Sequence, residues 1–72
     1  MTKISLSEVM GIADKKARAL GFQLVIPPLE VGKLVEAAES AETTADAVAI
    51  VERMVASLDG DEPEFGGELK AI

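Results

Sequence analysis

No histidine, cysteine, tryptophan or tyrosine occurs in these 72 residues, and the aromatic content is two phenylalanines. Histidine is the one side chain whose ordinary pKa lies in the physiological range, and the cysteine thiolate is the strongest protein nucleophile near neutrality. Their absence therefore removes the usual agents of acid–base and nucleophilic catalysis. It also excludes disulfides and thiolate zinc sites, and would leave a transition-metal site to be built from carboxylates alone. Ser5, Ser7, Ser40 and Ser57 have no histidine to activate them, and carboxylate pairs such as Glu36 with Glu39 lie on polar faces. A chain of this size offers little room for the pocket that would separate two carboxyl pKa values, so neither an enzyme nor a cofactor is expected.

A chain this short supports one domain, and below roughly 70–80 residues a lone core seldom supplies more than a few kcal/mol. With no disulfide or thiolate metal staple, stability must come from helix packing, within one chain or between subunits. What is present suits that: 49% of the residues are apolar, above what a disordered chain carries, and the excess is in Ala, Val, Leu and Ile. No apolar stretch approaches the length of a membrane span or a secretory leader, so a soluble, cytoplasmic protein is expected.

The net charge of −6 is unevenly spread. Residues 1–58 hold eight acidic and six basic side chains, whereas 59–72 hold five acidic ones and Lys70. A field of this sign disfavours phosphate backbones and anionic membranes and favours a partner protein with a basic surface.

Ser5-Leu6-Ser7-Glu8 reads as a capping box, flanked by Ile4 and Val9 at the positions of a hydrophobic staple. Leu6, Val9, Met10, Ala13, Ala17 and Leu20 follow at helical spacing, Asp14 and Arg18 form an i,i+4 pair, and Gly21 supplies the stop. Residues 22–27 are apolar, partly β-branched and closed by Pro27-Pro28, which makes them an extended connector or a short strand. A strand needs a partner, and only the C-terminal segment or a second subunit can supply one. Pro28 suits the first position of a second helix, to about residue 40, with Val31, Leu34, Val35, Ala38 and Ala41 as its stripe. Gly32 costs that helix about 1 kcal/mol relative to alanine, which suggests that it permits a close backbone approach.

Thr43 caps a third helix running to about Leu58. Ala47, Val48, Ile50, Val51, Met54, Val55 and Leu58 cover far more than one stripe of it, so this helix is central or its second face meets a partner. From Asp59 the composition turns to acids, glycine and proline, which predicts a flexible acidic tail. Asp59 and Asp61 open like a calcium loop, but Glu64 stands where that loop needs glycine. Phe65, Leu69 and Ile72 form an apolar comb in the tail, suited either to a partner's groove or to the chain's own third helix.

Two further patterns overlap these elements. In a second parsing of residues 5–21, a short helix ends at Met10, Gly11 makes the turn, and Asp14 to Leu20 becomes a recognition helix. Lys15, Lys16 and Arg18 would then face nucleic acid, as in a helix-turn-helix regulator. These basic residues also complement the carbonyl end of a single long helix. Separately, Ser5-Leu6-Ser7-Glu8-Val9 and Thr43-Thr44-Ala45-Asp46-Ala47-Val48 resemble two segments of acyl carrier proteins, the first being the one that carries the phosphopantetheine serine. That resemblance covers about a third of the chain. Ile4 replaces the family's usual Asp, the spacing to Pro27 is longer, the family's first helix has no counterpart, and an N-cap accounts for Ser5.

The expected fold is all-α: a compact three-helix domain over 1–58, with a short extended connector (22–27) and an acidic flexible C-terminal tail (59–72). The expected function is a small non-enzymatic protein-binding module, such as an accessory subunit, inhibitor or antitoxin-like regulator, that acts by occupying a partner surface. Ile50, Met54, Val55, Leu58, Phe65, Leu69 and Ile72 are its candidate contacts, and the third helix is the candidate homodimer face. The alternative is a DNA-binding regulator using Lys15, Lys16 and Arg18.

Overall fold

The computed structural model describes residues 3–72. Its elements follow in the order α1 (Leu6–Ala19), β1 (Phe22–Val25), α2 (Pro28–Glu39), α3 (Thr44–Ser57) and β2 (Glu68–Ala71). Each helix starts where local chemistry says it should. The Ser5 hydroxyl accepts from the Glu8 amide at 3.1 Å and the Glu8 carboxylate accepts from the Ser5 amide at 3.4 Å, completing the box. Ile4 and Val9 on either side of it are both buried. Pro28 occupies the first turn of α2, and the Thr43 hydroxyl accepts from the Asp46 amide at 3.1 Å at the start of α3. Gly21, at φ +89°, turns the chain from α1 into β1 in a conformation that side-chain-bearing residues resist.

The fold is not all-α. Residues 22–25 form a strand, and its partner is the C-terminal segment, antiparallel, with Phe22 opposite Ala71, Gln23 opposite Lys70, Leu24 opposite Leu69 and Val25 opposite Glu68. The predicted flexible tail is therefore ordered, and the connector is half of a two-stranded sheet. The reason is physical: a hydrogen-bonded ladder satisfies the backbone of both segments at once, which neither can do alone. Leu24 and Leu69 pack on the core from one face of the sheet, whereas Gln23, Val25, Glu68 and Lys70 are exposed.

α3 lies against both α1 and α2, and β1 lies against α1. Val9, Ala13 and Ala17 from α1, Leu34 and Ala38 from α2, and Ala47, Val51, Met54 and Val55 from α3 build the core. Small side chains dominate where helices meet, as the composition suggested. Leu6 and Leu20, both in the predicted stripe of the first helix, are exposed instead. Gly32 faces open space, with nothing within 4 Å of where a Cβ would sit, so it mediates no close approach. Asp14 and Arg18 do not pair; among the described residues the ion pairs are Glu30–Lys33 and Arg53–Glu64.

The C-terminal segment is fastened by four kinds of contact. The Phe65 ring enters the core and is only 5% exposed. Glu64 accepts two bonds from the Arg53 guanidinium, both at 3.2 Å, and its own amide donates to the Ser57 hydroxyl at 2.9 Å. The Gly66 amide donates to Glu30 Oε1 at 2.7 Å, and β2 completes the sheet. Both glycines sit in crowded places, Gly66 against the side chain of Glu30 and Gly67 against the Phe65 ring. A Cβ on Gly66 would sit 2.9 Å from Glu30 Oε1, and one on Gly67 would sit 2.8 Å from the Phe65 ring.

The Gly66 amide, and after it Lys33, holds the Glu30 carboxyl below its ordinary pKa. Because the folded value is the lower one, the unfolded chain binds more protons between the two values, so stability rises with pH there and falls on acidification. Glu30→Gln is expected to remove part of the loss of stability seen as pH drops through and below the ordinary glutamate range. Thermal melts of both proteins across that range check it, and parallel pH profiles would contradict the assignment.

Candidate functional site: a groove between the first and third helices

The seven side chains singled out as partner contacts are brought together, but mainly inside the chain. Met54, Val55 and Phe65 are buried, and Ile50, Leu58 and Leu69 are half-buried against the same core. Ile72 is exposed, at 84%. The wide apolar surface of α3 is thus largely packed against α1, α2 and the returning C-terminal segment. The comb of Phe65, Leu69 and Ile72 is not helical: Phe65 lies before the strand and Leu69 within it.

The basic cluster is placed differently. α1 runs unbroken through Gly11, so the turn that the helix-turn-helix parsing needs is absent. Ile12, Lys15, Lys16 and Ala19 fall at i, i+3, i+4 and i+7, on one face of α1. Val48 and Glu52, one turn apart on α3, stand across from them, and the six residues line a groove of about 380 Å³. Its floor is apolar, with Ile12 and Val48 half-buried, and its rim carries Lys15 and Lys16 on one side and Glu52 on the other. Arg18 is not among the residues lining this groove and, with Gln23 and Ile72, lines a second depression of about 390 Å³.

Among the described residues, neither lysine on the rim nor Arg18 makes an ion pair. With Glu52 on the opposite rim, the groove's lining still carries a net charge of one positive unit, on a protein whose net charge is −6. Lys15 is exposed and Lys16 half-buried, and surface ammonium groups without a partner contribute little to stability.

Ser5, the serine of the carrier-protein resemblance, has its hydroxyl engaged with both the Glu8 amide and the Glu8 carboxylate. Among the described residues, no three acidic side chains converge as a cation site, and no helix is long and apolar enough to cross a membrane. Comparison with family models, curated proteins and solved structures finds no match for the chain.

Sequence reasoning named Lys15 and Lys16 but missed Ile12 and Val48 as their apolar neighbours. The signal was present in part: Ile12 falls off the Val9–Ala13–Ala17 stripe but shares a face with Lys15, Lys16 and Ala19. That Val48 and Glu52 stand opposite is a property of how α1 and α3 cross.

Proposed function

We propose that this protein is a small non-enzymatic protein-binding module of the cytoplasm, an accessory subunit, inhibitor or antitoxin-like regulator, that docks a partner in the groove between α1 and α3. The observation that carries this reading is the apolar floor of Ile12 and Val48 beneath the unpaired Lys15 and Lys16. Such a groove suits a partner segment that presents an aliphatic anchor beside an acidic side chain. The anchor supplies affinity through burial, and the charges supply orientation and speed of encounter. The negative charge over the rest of the surface disfavours nucleic acid and anionic membranes, which sharpens selection for protein. Glu52 on the opposite rim sets polarity, because an acidic group at that end of the segment is repelled.

Affinity capture from source cells with the wild-type chain and with K15E/K16E tests this. Both lysines lie on the surface, so the variant is expected to fold and to lose the proteins that the wild type retains. Retention of the same proteins by both, or of none by either, would remove the groove from consideration. Duplex DNA held by the wild type at low salt and released by the variant would replace this reading with nucleic-acid binding.

A further inference from the structure

The sheet has two strands, so β2 forms one of its edges. Among the described residues, the backbone groups of 68–71 that point away from β1 have no hydrogen-bond partner. β2 is also poorly covered from the helical side. Phe22 in β1 is half-buried, yet Ala71 opposite it on the same face is exposed, as is Ile72 next to it. An edge of this kind is a template for another strand.

The sequence of the edge indicates which strand. We infer that β2 pairs antiparallel with β2 of a second copy of this chain, about a two-fold axis at Leu69, joining two sheets into one of four strands. In this register Glu68 lies opposite Lys70 of the second copy and Lys70 opposite its Glu68, so both cross-strand charge pairs are attractive. Leu69 meets Leu69 on the inner face, extending the Leu24–Leu69 pair into a continuous apolar row of four side chains. A lysine on an edge strand ordinarily discourages pairing, but Glu68 two positions earlier makes this edge complementary to itself. β1 offers no equivalent match, since Phe22-Gln23-Leu24-Val25 carries no charge. The contact is one short strand per copy, so the dimer is weak and forms with rising concentration. It is independent of the groove between α1 and α3.

Within one chain, Lys70 faces Gln23 and Glu68 faces Val25, both uncharged, so altering the two charges leaves the internal ladder intact. Sedimentation of the full chain from micromolar to millimolar concentration is expected to show a monomer–dimer equilibrium. Lys70→Glu sets glutamate against Glu68 of the second copy and is expected to weaken the dimer about tenfold. Glu68→Lys sets lysine against lysine with the same result, and E68K/K70E, which restores opposite charges in reversed order, is expected to recover the wild-type equilibrium. Circular dichroism confirms that each variant is folded, and either single substitution suffices should the other disturb the monomer. Monomer at every concentration, a dimer indifferent to the single substitutions, or a double variant no better than the singles would each overturn the proposal.

Discussion

A chain ending at Gly60 is expected to be unfolded. The deletion removes the Phe65 ring from the core, the partner of β1, the acceptor for Arg53 and the amide bound by Glu30. Losing a buried phenylalanine alone costs about 3–5 kcal/mol. A domain of this size has about that much stability in total. One effect opposes the loss: four acidic residues and one lysine leave with the segment, so the net charge falls from −6 to −3 and self-repulsion eases. Exposed charges are worth tenths of a kcal/mol each, so the core decides the outcome. Far-UV circular dichroism with thermal melting checks it, and a truncated chain with a cooperative melt like that of the wild type would show that helix packing alone sustains the fold. Phe65→Ala separates the ring from the strand, and is expected to account for most of the loss.

Leu34→Ala is expected to destabilise the protein by about 2–5 kcal/mol, whereas Leu29→Ala, five residues earlier on the same helix, is expected to change stability by less than about 0.5 kcal/mol. The chemistry of the two substitutions is identical and only burial differs. Leu34 is fully buried and is the largest such side chain among the described residues, while Leu29 is 89% exposed. Around Leu34 the core is built largely from alanines and valines on three helices. Short side chains on rigid backbones have little reach with which to collapse into a new cavity, which places the expected cost in the upper half of the range. Chemical denaturation of both variants measures the difference, and equal stabilities would mean that α2 is not docked as described.

How far the molecule was legible in its sequence differs from element to element. The start of α1 could be read from Ser5 to Glu8, because a capping box is completed within four neighbouring residues. The starts of α2 at Pro28 and of α3 after Thr43 are equally local. The apolar excess of α3 was visible, but its meaning was not, since an unpartnered face and a central helix have the same pattern. Arg53, Ser57 and Glu30 gave no sign that they would fasten the C-terminal segment, because their partners Glu64 and Gly66 lie 7 to 36 residues away in the chain. The acidic composition of 59–72 argued for a solvated tail, and the Phe65 ring, the strand ladder and the bonds of Glu64 and Gly66 together outweighed it.

The sequence by itself determined where the three helices begin and that stability rests on small aliphatic contacts. Those features depend on side-chain type and on neighbours within one helical turn. Tertiary structure alone decided that residues 22–25 are a strand, that α3 packs against both other helices, and that Lys15 and Lys16 border an apolar groove. Each of these depends on a meeting between segments distant in the chain, and a strand or a groove exists only when both of its sides are in place.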